Sequence, residues 1–321
     1  MSVFLASPNS ESSDDATKSK QVIQIKAKSS ARLTTTRLLH DPTCVASVIV
    51  IILISLFAIF APAVAEWAGH GATEQFRETG LSPSGIPVGP NSEFLFGTDQ
   101  LGRDIFVRLA YGARISLIVG VAASLLASFI GVLIGATAGF FGGKVDSFLS
   151  RIIDLVLSVP FLLVAIALVA VLGPSLGLSI AVIVFFSWAG LARVIRGQVI
   201  AIREREYIEA ARSLGESRGS MIFHDVLPNL IAPIIVYTTL GIPVAIVFEA
   251  TLSFLGLGIV PPTPSWGNML ADAAKGSMYL VAPWMVLVPG LALLALTLAF
   301  NLLGDGLSDA TDPSAAKGKK L

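Results

Sequence analysis

The side chains that could do chemistry in this 321-residue chain fall into a few groups, and most are unsuited to catalysis. Gly143-Lys144 is the Gly-Lys pair in a glycine-rich setting. A phosphate-cradling GxxxxGK[ST] loop would need glycine at 138 and a hydroxyl residue at 145, where the chain has Ala138 and Val145. His40, His70 and His224 are widely separated, so no metal site can be read from them, and the single Cys44 permits no internal disulfide. No Ser/His/Asp or HExxH arrangement is present either. The expectation is a chain with no catalytic residues, no bound cofactor and no metal.

What remains is charge in places where charge is costly. Glu249 lies in an apolar stretch, with Ser253 one helical turn further on. It reads either as a carboxylate in a pathway or gate that meets a positive substrate group, or as one hydrogen-bonded to a neighbouring helix or loop. Arg151 and Asp154, three apart, can pair on one helix face. Asp99 and Asp104 could be metal ligands. Alternatively Thr98 or Asp99 caps a short interfacial helix and Asp104 pairs with Arg108 at i+4. The densest group is elsewhere: eleven of the 44 charged side chains lie between Arg193 and Asp225.

The elements that must carry these groups are membrane spans. The chain is 54% hydrophobic and 14% charged, where a soluble domain has roughly a quarter charged. Its net charge of zero argues against a nucleic-acid partner. A helix needs about 20 apolar residues to cross the hydrocarbon core. Six stretches qualify, near Val45–Ala65, Ile115–Ala138, Ile152–Leu172, Leu178–Val194, Leu230–Ala250 and Trp284–Leu303. With both termini inside, 17 of the 22 Lys and Arg are cytoplasmic, leaving Arg77, Arg103, Arg108, Arg114 and Lys275 outside. That bias predicts an all-α, six-span, N-in/C-in integral membrane protein.

Four segments follow. Residues 1–40 form a Ser/Thr/Lys-rich cytoplasmic tail expected to be disordered, without the apolar core of a signal peptide. Residues 41–114 hold the first span, an outer loop and an interfacial helix. Residues 115–305 hold five helices, with a cytoplasmic loop at about 196–229, and 306–321 form a C-terminal cytoplasmic tail. Pro160, Pro233, Pro243 and Pro289 lie inside spans and permit kinks. Gly131, Gly135 and Gly139 recur every four residues, a close-packing face for a helix of this subunit or of a partner.

The cytoplasmic loop has an internal logic. Over Glu204–Leu214 a helix places Tyr207, Ala210, Ala211 and Leu214 on one small apolar face, with Arg205, Glu206, Glu209 and Arg212 around the rest. Gly215 follows, suited to a left-handed closing residue. A second short helix over 217–226 would gather Met221, Ile222 and Val226, and Pro228 would end it. Such an elbow suits docking to a soluble protein, because small crest residues permit close approach. Lying against lipid headgroups is the alternative, although Glu204, Glu206, Glu209 and Glu216 would then face anionic lipid.

Glu209-Ala210-Ala211, then Gly215, then Leu227-Pro228 resembles the EAA loop of bacterial ABC importer permeases, with Asp225 where that family often has Ile. "GTDQLGRDIFVRLAYGARISLIVG" (97–120), "LSFLGLGIVPPTPSWGNMLADA" (252–273) and "NLLGDGLSDATDP" (301–313) resemble the dipeptide/oligopeptide/nickel group. "DPTCVASVIV" before the first span fits that group's DppC/OppC-type subunit, and Ser308 stands where Arg is common. The resemblance covers residues 38–313. It implies a type I permease fold in the cell inner membrane and a second homologous permease subunit. It further implies two cytoplasmic ATPase subunits holding ATP and Mg, an extracytoplasmic substrate-binding protein and a peptide substrate. The coupling residues it implies are Glu206, Tyr207, Glu209, Ala210, Ala211, Arg212, Leu214, Gly215, Leu227 and Pro228. A nickel or small-solute importer of the same group is one alternative. A stand-alone secondary transporter is the other, but it would place several ionisable residues at midplane where this chain offers Glu249 alone.

Overall fold

The computed structural model describes residues 38–311. The tails expected at 1–40 and 306–321 lie outside the described residues, save for helical positions at 38–40 and 306–311. The elements are α1 (Pro42–Ile59), α2 (Ala61–Ala68), α3 (Ile105–Phe141), α4 (Gly143–Ser158), α5 (Phe161–Leu172), α6 (Leu176–Arg203) and α7 (Glu206–Ser213). They continue with α8 (Arg218–Phe254), α9 (Trp266–Ala274) and α10 (Trp284–Thr311). Among the described residues α1, α3, α6, α8 and α10 are each long and apolar enough to cross a membrane. A sixth crossing is the pair α4–α5, which is bent by 80°.

That bend corrects the expectation of one continuous third span. Pro160 disfavours helical backbone in the residue before it, and Val159 is extended at φ −86°, ψ 128°. Pro233, Pro243 and Pro289, by contrast, stay inside α8 and α10. The expected first span is likewise two helices meeting at Phe60. Helix α10 continues past Asp305 to Thr311.

The outer segment also differs from expectation. Among the described residues no separate helix lies between Thr98 and the second span: α3 has 37 residues, about 55 Å at 1.5 Å per residue, longer than the roughly 30 Å hydrocarbon core. Asp104 caps it, accepting from the Phe106 and Val107 amides at 2.7 and 3.4 Å. Asp104 pairs with His70 at 2.7 Å, not with Arg108. Asp99 instead receives Arg103 at 2.7 Å and Arg108 at 3.4 Å, and Arg103 reaches Asp272 at 3.1 Å. Two of the outer arginines that ran against the positive-inside count are therefore neutralised inside the protein.

The body is assembled around α3. A Cβ at Gly131, Gly135 or Gly139 would lie 2.8, 2.5 or 2.7 Å from a backbone oxygen of α6 (Trp188, Ala192 and Arg196 respectively). The glycine stripe is thus an internal contact that lets two spans touch backbone to backbone, where no side chain fits. At the cytoplasmic end α4 is tied to α6 by Asp146–Arg196 (2.7 Å) and Asp154–Arg193. Asp154 therefore pairs across helices, which replaces the expected pairing with Arg151.

Candidate functional site: the cytoplasmic elbow

Helix α6 ends at Arg203, and after two residues α7 begins in a new direction. Eight residues are too few for a stable isolated helix, so α7 depends on what lies beneath it. That anchor is Ile208, which is fully buried. It packs among Phe140, Ile195, Val199, Ile202, Met221, Val226 and Leu230, with Ala211 at the margin. Ile208 is the anchoring residue the apolar pattern missed. The four-residue face drawn from sequence turns largely outward: Tyr207 is 42% and Leu214 88% exposed, Ala210 is exposed, and only Ala211 is half-buried. The elbow thus offers solvent a small, partly apolar crest and holds itself down by a different side chain.

The turn closes as its residues dictate. Gly215 has φ +83°, a backbone that costs an ordinary L-residue about 1–2 kcal/mol. Its amide donates to the Arg212 carbonyl at 3.1 Å, and the Glu216 amide donates to the Ala211 carbonyl at 3.1 Å. Together these form the paired closure that glycine permits at a helix end. Ser217 caps the next segment, accepting from the Ser220 amide at 3.2 Å.

Pro228 does not end a second helix, contrary to expectation. Residues Met221–Val226 adopt the wider π-helical turn, in which the Leu227 amide bonds to the Ile222 carbonyl, and the chain passes straight into the span. A wider turn accommodates proline, which has no N–H and whose ring would crowd the carbonyl four residues back. The second half of the elbow, from Arg218 onward, is therefore helically continuous with the span. Met221 and Val226 are buried on one side, as their spacing suggested. Leu227 is half-buried and Pro228 exposed. One carboxylate oxygen of Asp225 is buried without a partner.

Glu206, Glu209 and Arg212 are exposed. Behind α7, a cleft of about 670 Å³ opens between the elbow and the inner ends of α3 and α6. It is lined by Arg203, Arg212, Arg218, Glu204, Glu209 and Glu216 together with Phe140, Phe141 and Met221. Charges of both signs around apolar footing fix the register of a docked surface without favouring a strongly charged ligand.

Glu249 and Ser253 lie near the outer end of α8, both fully buried. Gly142 and Gly143 form the positive-φ turn joining α3 to α4. Glu249 makes no ion pair within 4 Å among the described residues, and its partners are hydroxyls.

A bundle of apolar spans with a small, exposed, anchored knuckle on one side is the architecture of a multi-pass membrane permease. Comparison with known proteins agrees. Residues 131–317 match the family of binding-protein-dependent transport system inner membrane components. Residues 29–81 match the N-terminal TM domain of oligopeptide transport permease C. The chain belongs to this family of inner-membrane transport components. It is 43% identical to the dipeptide transport system permease protein DppC of Alkalihalophilus pseudofirmus, over 86% of this chain and 88% of that one. It is 38% identical to the oligopeptide transport system permease protein OppC of Escherichia coli K12, over 97% and 99% of the two chains. In fold it is similar to the inward-facing MetNI methionine ABC transporter, with a TM-score of 0.52, 18% identity, and coverage of 64% of this chain and 96% of that one. The fold is that of a type I permease in the inner membrane.

Proposed function

We propose that this chain forms half of the translocation pathway of an ATP-driven importer of di- and oligopeptides. In this reading it pairs with a second homologous permease. Two cytoplasmic ATPase subunits, holding ATP and Mg, grip the elbow, and an extracytoplasmic binding protein delivers the peptide. The carrying observation is the anchored elbow: Ile208 fixes it to the body while Glu209, Ala210 and Leu214 face solvent. The peptide substrate is supported by the names of the relatives at 43% and 38% identity.

The mechanism is alternating access. A partner shifts a two-state equilibrium only if it binds the two states differently, and the exposed crest and charged cleft provide the surface for that. The turns at 204–205 and 214–217 that join α7 to α6 and α8 are short, and Ile208 lies in one core cluster with Ile195 and Val199 of α6 and Leu230 of α8, so displacement of α7 moves both spans. Reconstituting the native complex in liposomes tests this reading. Labelled dipeptide should accumulate only with ATP and the loaded binding protein. Accumulation of nickel but not peptide would assign the small-solute alternative, and uptake by this chain without ATP would overturn the ABC reading.

A further inference from the structure

Glu249 is a fully buried carboxylate held by two hydroxyls, one from α3 and one from its own helix. Ser116 on α3 donates to Oε2 at 3.2 Å, and Ser253, one turn along α8, donates to Oε1 at 2.7 Å. The Ser265 hydroxyl is fully buried as well. Ser265 also caps α9, accepting from the Asn268 amide at 3.2 Å. Ser253 Oγ in turn accepts the Ile259 amide at 3.1 Å, and the Asn268 side chain donates to the Ile259 carbonyl at 2.7 Å. The outer loop is drawn so close that a Cβ at Gly267 would lie 2.4 Å from the Ala250 carbonyl oxygen, and one at Gly258 2.2 Å from Ser253 Oγ. Trp266 closes the set from α9, donating to the Leu109 carbonyl of α3 at 3.1 Å.

This cluster sits on the same helix as the elbow, about 45 Å away at 1.5 Å per residue. A buried ionisable group is an expensive way to join helices, since apolar packing would serve equally well. What it adds is directionality, because donors from α3 and α8 each take a different oxygen of the carboxylate and so fix how the two helices meet.

We propose that Glu249 is a positioning residue of the transport cycle. Its carboxylate, held by Ser116 and by Ser253, whose hydroxyl also accepts the Ile259 amide, latches the outer loop that leads into α9 to α3 and α8, so that movement entering α8 at the elbow is delivered to the outer mouth. The inference rests on the importer reading above.

The test uses the complete reconstituted complex and measures peptide uptake per ATP hydrolysed. Glu249→Ala should lower that ratio roughly ten-fold, the scale of a buried hydrogen bond to a charged group, while hydrolysis continues. Ser116→Ala, which removes one donor and leaves the carboxylate its other partner, should lower it by a smaller factor in the same direction. Ile153→Ala, a core truncation on α4, should reduce yield and leave the ratio unchanged. An unchanged ratio in both Glu249→Ala and Ser116→Ala overturns the latch, and Ser116→Ala alone decides it if the first variant does not assemble. A wild-type complex that shows no ATP-linked uptake would refute the importer reading instead.

Discussion

Replacing Ile208 by Ala should release the elbow without altering the surface it shows the cytoplasm. The Ile208 side chain is fully buried among seven apolar neighbours, Phe140, Ile195, Val199, Ile202, Met221, Val226 and Leu230. Truncation to Ala removes three carbon groups, about 2.4 kcal/mol of transfer free energy at about 0.8 kcal/mol each. Any cavity that fails to collapse adds to this, within the 2–5 kcal/mol usual for Ile→Ala. Since α7 has eight residues, it has little helical stability of its own to offset that loss. A cost of about 2.5 kcal/mol corresponds to roughly 70-fold in the local opening equilibrium, at 1.36 kcal/mol per decade. Hydrogen–deuterium exchange reads this directly: amides of 206–216 should exchange roughly 70-fold faster, with those in the middle of α6 unchanged. Tyr207→Ala, at 42% exposure, should change exchange by less than about three-fold. Equal protection of the elbow in wild type and Ile208→Ala would refute the claim that this side chain anchors it.

Other consequences follow from the packing. Gly135→Ala would place a methyl 2.5 Å from the Ala192 oxygen. It should force α3 and α6 apart at a cost of about 1–3 kcal/mol, seen as a lower thermal midpoint of the detergent-solubilised complex. Arg103→Met should cost about 1–3 kcal/mol, because Asp99 and Asp272 lose their shared cation while Arg108 and Lys275 still pair with them. Adding Asp99→Asn and Asp272→Asn should restore part of the midpoint, whereas no recovery would mean the arginine acts by packing alone. Arg193→Gln removes a pair whose side chains are 57% and 66% exposed, and it should shift the midpoint by the equivalent of about 1 kcal/mol or less.

Much of the architecture was legible because a span is a composition statement. Twenty apolar residues between charged segments can do little else in a cell, and the Lys/Arg bias then orients them. Gly215 was legible for a local reason, since a helix end that needs positive φ selects glycine. The glycine stripe was recognisable as a contact face, but only the fold shows that α6 fills it.

Three features were hidden for physical reasons. Proline breaks or merely bends a helix according to what the neighbouring spans supply, so Pro160 and Pro243 look alike in sequence. In a helix as short as α7, both the Tyr207/Ala210/Leu214 side and the Ile208/Ala211 side satisfy helical spacing, and only the body beneath selects one. Counting arginines assumes that each faces water, so the buried set around Asp99 and Asp272 counted against the topology it supports. The His70–Asp104 pair joins residues 34 apart, a separation that no local pattern encodes.

The central claim is that force enters through the elbow, and ATP-dependent uptake by elbow variants tests it most directly. Gly215→Val imposes a β-branched residue at φ +83° where nothing lies within 4 Å, so the backbone of the turn should change while the body is left intact. Glu209→Lys reverses an exposed charge at the cleft margin. With both changes in an otherwise complete complex, nucleotide-dependent peptide accumulation should fall at least roughly ten-fold while this chain still inserts and is recovered at wild-type yield. Undiminished accumulation would contradict the account.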